Sequence, residues 1–194
     1  MDINKRLALR IRQLRDARAA SLDDLAKRSG VSRSAISLIE RGESSPTATV
    51  LDKLAAGLGV TLATLFADDG ADAPSPLSRA ADQSVWTDPA SGYVRRNLSP
   101  AARSALELVE VVFPPGQRVA YDAVAREVDI DQQVWMLEGV MEVSVGAVNW
   151  RLAAGDCLAM GLDQPIAYHN PGAQAARYLV ALAARSAMPL RRSA

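Results

Sequence analysis

Ser21-Leu-Asp-Asp-Leu-Ala-Lys-Arg-Ser-Gly30-Val-Ser-Arg-Ser-Ala-Ile-Ser-Leu-Ile-Glu40-Arg-Gly42 decides the fold of the first third of this chain. Ser21 stands before an apolar-periodic run and has Asp24 three residues on, a near capping box that starts a helix. Leu22, Leu25 and Ala26 fall at i, i+3 and i+4 and make one buried stripe. Gly30 supplies the left-handed conformation that ends a helix without a Cβ clash. Val31 then plugs the core and Ser32 caps a second helix, in which Ala35, Ile36 and Ile39 face inward with Leu38 at the margin. Arg33, Ser34 and Ser37 are left outward near its N-terminal half.

That end of a second helix is the part that enters a DNA major groove in a helix-turn-helix. An arginine there can donate a bidentate pair to guanine, and a serine hydroxyl can donate or accept at a base edge or a phosphate. The flanks extend the pattern. Lys5, Arg6, Arg10, Arg12, Arg15 and Arg18 stud a first helix with Leu7, Ile11 and Leu14 as its apolar seam. Thr47 can cap a helix carrying Val50, Leu51, Leu54, Ala55 and Leu58, Gly59 stops it, and Thr61–Phe66 adds a last short turn. Five helices within residues 1–66 are expected, a complete small all-α domain.

Residues 3–66 resemble the DNA-binding domain of the phage-repressor-like (XRE family) helix-turn-helix regulators. The matching residues are Leu14-Arg15, Ser21-Leu-x-x-Leu-Ala26, Gly30-Val-Ser-Arg-Ser-Ala-Ile-Ser37, Ile39-Glu-Arg-Gly42, Pro46 and Leu54-Ala-x-x-Leu-Gly-Val60. The resemblance implies that Arg33, Ser34 and Ser37 touch bases, that Ser32 and Arg41 touch phosphates, and that Arg15 and Glu40 pair structurally. Ala19-Ala20 departs from the family's Gly-Leu before the cap.

The 194 residues carry no net charge, yet the charge is divided. Residues 1–66 hold eleven Lys and Arg against seven Asp and Glu, leaving the head at +4 and the remainder at −4. A basic head on an acidic body suits contact with phosphate at one end. No apolar run approaches the ~20 residues of a membrane helix, and Met-Asp-Ile-Asn-Lys enters a helix directly, so neither a membrane anchor nor a signal peptide is expected. The lone Cys157 excludes an internal disulfide, fits a reducing cytoplasm and reads as a small buried hydrophobe.

Residues 67–84, rich in Ala, Asp, Pro and Ser, read as a linker. Beyond it, β-type runs are expected near Tyr93–Leu98, Leu106–Phe113, Val128–Ile130, Gln133–Leu137, Met141–Val145, Asn149–Leu152, Cys157–Met160 and Arg177–Leu182, separated by turn signals such as Pro114-Pro115-Gly116 and Asn170-Pro171-Gly172. Many short strands at such intervals indicate a sandwich or small barrel. Val134-Trp-Met-Leu-Glu-Gly139, Met141-Glu-Val-Ser-Val145, Ala154-Gly-Asp156 and Ala167-Tyr-His-Asn-Pro-Gly172 resemble a cupin, a double-sheet jelly-roll barrel whose interior holds a ligand or a metal. The expected fold is therefore multidomain. An all-α helix-turn-helix head (1–66) precedes an all-β cupin (85–186), with a tail at 187–194.

The metal-ligand positions implied by the cupin resemblance are altered. Gln132 stands where a glutamate is usual and Ile166 where the last histidine belongs. Arg126 and Val128, or Ala125 and Glu127, replace the upstream histidines. His169 is the only histidine in the chain, and it is read as a surface or structural residue. No transition metal and no other cofactor is expected. Glu127, Asp129 and Asp131 share one strand face and leave a hard cation open, although apolar-in, polar-out patterning turns them to water. The barrel keeps its cavity, with Arg126, Gln132, Met136, Ile166 and Tyr168 as candidate lining. An inward Arg126 points to a carboxylate-bearing effector, unless it pairs internally or points out. Trp135 and Trp150 read as core or interface residues.

The expected function is that of a non-enzymatic, cytoplasmic, homodimeric transcriptional regulator. It would bind double-stranded DNA and sense a small-molecule effector in its cupin. The alternatives are a cupin enzyme with a DNA-binding head, and an effector-free repressor using the cupin only to dimerise.

Overall fold

The computed structural model describes residues 2–66, 75–102, 104–126 and 129–184. The start of the expected strand at Val128, the carboxylate Glu127, residues 67–74 of the linker and the C-terminal tail therefore lie outside the described residues.

Four α-helices open the chain: α1 (Ile3–Asp16), α2 (Leu22–Ser29), α3 (Arg33–Glu40) and α4 (Ala48–Gly57). Each of the last three starts where the sequence offers a hydroxyl. Ser21 accepts from the Asp24 amide while Asp24 returns the bond to the Ser21 amide, so the capping box is complete. Ser32 caps α3 through the Ala35 amide, and Thr47 caps α4 through Val50. Gly30 ends α2 at φ +69°. Gly57 lets α4 approach α2, because a Cβ there would lie 2.9 Å from the Ser29 Cβ.

The expected fifth helix is instead a 3-10 turn, Ala63–Phe66. Six residues with two β-branched threonines are too few to offset helix nucleation. The Thr61 and Thr64 hydroxyls also bond to Glu107 outside the head. Leu7, Ile11, Leu25, Ile36, Leu51, Leu54 and Leu58 form the head's core, all at 1% exposure or less.

Ten strands follow among the described residues: β1 (Val85–Thr87), β2 (Val94–Asn97), β3 (Leu106–Phe113), β4 (Arg118–Tyr121), β5 (Ile130–Glu138), β6 (Val140–Val145), β7 (Val148–Ala153), β8 (Cys157–Gly161), β9 (Ile166–His169) and β10 (Ala176–Ala184). They make two antiparallel sheets, ordered β1-β2-β3-β10-β5-β8 and β4-β9-β6-β7. Two such sheets facing one another form the double-sheet jelly roll.

The short β1, β4 and β9 were not expected from the sequence. The expected break before Gln133 is absent, and β5 runs unbroken from Ile130. Its Ile130, Gln132, Val134 and Met136 alternate inward and hide a polar residue among apolar ones. Cys157 is exposed, contrary to the buried expectation, because it opens the edge strand β8 on the sheet's outer side. Trp135 and Trp150 are 48% and 46% exposed and so do not belong to the core.

Head and barrel are packed together. The Asp88 carboxylate, from the β1–β2 turn, accepts the Ala48 amide at 2.9 Å and the Ser91 amide at 2.8 Å. Lys53 of α4 pairs with Asp122 at 2.8 Å. An aromatic ladder runs from Phe66 of the head through Trp86 and Tyr93 to Phe113, with centroid spacings of 5.5, 5.9 and 5.6 Å.

Candidate functional site

Two regions bear on function. On the head, α3 is steadied from behind by Arg15 and Glu40. The Arg15 Nε and Nη2 donate to the two Glu40 oxygens at 2.7 and 2.8 Å, and Nη1 donates to the Ala20 carbonyl at 2.9 Å. The pair implied by the family resemblance is therefore formed, with both side chains largely buried. The hydrogen bond from Arg15 to Glu40 raises the guanidinium's pKa further above an already high value.

Ser32, Arg33 and Ser34 are exposed at the start of α3, and Ser37 is half-buried. Arg33 Nε lies 3.5 Å from Asp23. Arg41 makes a bidentate pair with Glu43 at 2.8 and 2.9 Å and also donates to the Ser37 hydroxyl. That pairing holds the Glu43 carboxyl below its usual range. Exposed pairs of this kind contribute little, so phosphate or a base edge can replace Asp23 and Glu43 at small cost. The Ser32 hydroxyl is already the helix cap and lies 3.2 Å from the Ser34 hydroxyl.

The second region is a cavity between the barrel's interior and α4. Its volume is about 70 Å3, which suits a compact ligand and not a large cofactor. Arg126, Gln132, Ile166 and Tyr168 all line this cavity. Met136 does not line it and packs in the core at 1% exposure.

Gln132 donates its amide to the Tyr168 hydroxyl at 2.6 Å. Tyr168 is stacked on Tyr178 at 6.1 Å and lies edge-on to Tyr121. Burial raises the pKa of Tyr93, Tyr121, Tyr168 and Tyr178, so all four remain neutral phenols.

Arg126 is internally paired. Its Nη2 lies 2.8 Å from both oxygens of Asp52, a residue of α4, with the two side chains only 11% and 9% exposed. Sequence reasoning missed Asp52, which is 74 positions away. It also missed Arg95, which lines the same cavity at 6% exposure with its guanidinium 5.3 Å from the centre of the Phe66 ring. The Arg95-Arg96 dipeptide gives no sign of which arginine faces in.

A neutral amide, a neutral phenol, an isoleucine and two guanidinium groups do not make a cation site. The residues at the implied metal positions thus do not fit a metal. His169 sits away from this cavity and pairs with Glu142 at 3.0 Å. Asp129 is exposed before β5 and Asp131 is half-buried in it. Among the described residues no three His, Cys, Asp or Glu side chains cluster as metal ligands.

A capped, basic helix-turn-helix docked on a jelly roll defines a class of DNA-binding protein. Residues 11–65 match the helix-turn-helix family HTH_3. The chain is 28% identical over 173 residues to the HTH-type transcriptional regulator SutR of Escherichia coli, spanning 89% of this chain and 91% of that one. The crystal structure of an HTH_3 family transcriptional regulator from Vibrio cholerae superposes with a TM-score of 0.77 at 27% identity, covering 95% and 98% of the two chains. A Cupin_2 domain of an XRE family regulator from Enterobacter cloacae aligns with 48% of this chain and 98% of its own length, at a TM-score of 0.44 and 16% identity. Residues 11–65 therefore carry a helix-turn-helix domain of the HTH_3 family, and over most of its length the chain is similar to transcriptional regulators. Among its described residues no helix is long and apolar enough to cross a membrane.

Proposed function

We propose that the protein is a homodimeric, sequence-specific repressor or activator whose cupin binds a small-molecule effector without a transition metal. Head (1–66), linker (67–84) and cupin (85–186) are its working parts, and it acts in the cytoplasm, with the DNA. Arg33, Ser34 and Ser37 read bases, while Ser32 and Arg41 hold phosphates. Arg126, Gln132, Ile166 and Tyr168 belong to the effector site, with Met136 supporting them from the core behind. The observation that carries this reading is the cavity itself, since its wall includes both barrel residues and Asp52 of the head. An occupant there touches the part that binds DNA, which is the physical requirement for coupling two sites.

Dimerisation is supported by the outer face of the six-stranded sheet. It leaves Trp135, Leu106 and Val112 at 48%, 47% and 37% exposure beside the ion pairs of Arg177 with Glu110 and Glu138, a mixed apolar and charged face that a second copy can cover. A head of +4 offers few phosphate contacts by itself, whereas two heads on an inverted repeat about one helical turn apart double them.

Gel filtration combined with an operator titration tests this reading. A dimer that binds DNA with its heads paired is expected. A monomer that binds as tightly as any dimer contradicts it.

A further inference from the structure

The buried arginines of the cavity carry more hydrogen-bond donors than the described residues supply acceptors for. Arg95 is 6% exposed, and its Nε and Nη2 are buried without an acceptor among the described residues. Arg126 spends Nη2 on Asp52, while its Nε and Nη1 are likewise buried and unanswered. The wall's other carboxylate, Asp122, is held by Lys53. Of the two buried guanidinium groups, only that of Arg126 has a carboxylate partner among the described residues. A charged donor buried without an acceptor is among the costliest arrangements in a folded chain, and proteins keep such groups where an anion completes them.

We infer that Arg95 and Arg126 form the anion subsite of the effector pocket, that it takes a compact organic carboxylate, and that this carboxylate competes with Asp52 for Arg126. The inference rests on the effector reading above and deepens it. The forked guanidinium geometry suits a planar carboxylate. The rest of the wall is apolar, with Val111, Phe113, Ile130, Ile166 and Val180 around the neutral tyrosines, so the ligand has a short apolar body.

Competition follows from position. Asp52 belongs to α4, whose first amide, that of Ala48, is held by Asp88 of the barrel. A ligand that takes Arg126 leaves Asp52 buried without its partner, and the docking of α4 weakens by the same factor by which docking weakens ligand binding.

The test titrates the full-length protein calorimetrically with acetate, butyrate, hexanoate and benzoate. Hexanamide and benzamide serve as neutral matches and sulfate as an inorganic oxyanion, and exchange at the Ala48 amide is followed by NMR. Saturable binding of hexanoate or benzoate, with the amides at least ~10-fold weaker, is expected from the strength of charge-assisted pairs. Arg95→Gln should weaken that binding by ~10-fold or more, and Asp52→Asn should tighten it by removing the competitor. Bound carboxylate should speed Ala48 exchange.

Amides binding as well as the acids would overturn the anion subsite while leaving the effector reading intact. Sulfate binding as tightly as hexanoate would overturn the organic assignment. Carboxylate binding with Ala48 exchange unchanged or slowed would overturn the competition. If no member of the panel binds either wild type or Asp52→Asn at millimolar concentration, the inference fails, whereas failure of the regulator reading would appear separately as loss of DNA binding. The wild-type arms stand even if a variant does not fold.

Discussion

Asp88 closes the N-terminus of α4 from forty residues away: its Oδ1 accepts the Ala48 amide at 2.9 Å, while Oδ2 takes the Ser91 amide and hydroxyl. One buried carboxylate thus ties the DNA-binding head to the barrel and shapes the β1–β2 turn. Asp88→Ala removes three hydrogen bonds to a charged acceptor and leaves the Ala48 amide without its partner. The expected loss is about 3 kcal/mol, read as a lower urea midpoint, with the head melting apart from the barrel.

Ala19 is the one non-glycine with positive φ among the described residues, at +49°, at the position where the resembling family has glycine. A left-handed alanine costs about 1–2 kcal/mol, partly offset by the entropy that glycine loses on folding. Ala19→Gly should therefore stabilise by about 0.5–1 kcal/mol. Thermal unfolding should show a higher Tm, with operator affinity unchanged because Ala19 bears none of the proposed contacts.

Asp24 couples α2 to pH. The Ser21 hydroxyl and amide hold its carboxyl below the usual range. Because the folded-state pKa is the lower one, the box's contribution is fully present above the ordinary Asp value. It is lost as pH falls through the depressed value. NMR titration of the Asp24 carboxyl should give a midpoint below that of a model aspartate. In Asp24→Asn the Ser21 amide shift should no longer follow that titration.

Arg33 has the longest side chain of the three residues proposed to read bases. Arg33→Ala should weaken operator binding by about 1–3 kcal/mol, the value of a bidentate base contact, and relax the preference at one position. Arg41→Ala should instead lower affinity for all sequences and reduce the salt slope by about one. Electrophoretic mobility shifts at two salt concentrations separate the two.

Trp135→Arg places a charge on the exposed sheet face proposed for dimerisation. Sedimentation should then report a monomer with weaker operator binding. A dimer persisting with unchanged affinity would place the interface elsewhere.

How much of this was legible in the sequence depended on distance along the chain. The α2–turn–α3 unit was readable because Ser21, Asp24, Gly30 and Ser32 act on neighbours within a few positions. Gln132 and Tyr168 were placed in one cavity through the spacing of a resembling family. Asp52 escaped notice because its partner is 74 residues distant and the contact exists only once the head packs on the barrel. The linker composition suggested a tethered head, and nothing local in Asp88 or Glu107 announced that both reach back to the helices. β4 and β9 are too short to show a period of two, and an inward Arg95 breaks the rule that strand interiors are apolar.

The most direct test of the central claim is the mass of the complex formed on DNA selected from a random pool, measured by analytical ultracentrifugation. Two chains per duplex are predicted, on an inverted repeat whose half-sites are about one helical turn apart. One chain on a single half-site, bound as tightly as the pair, would contradict the account.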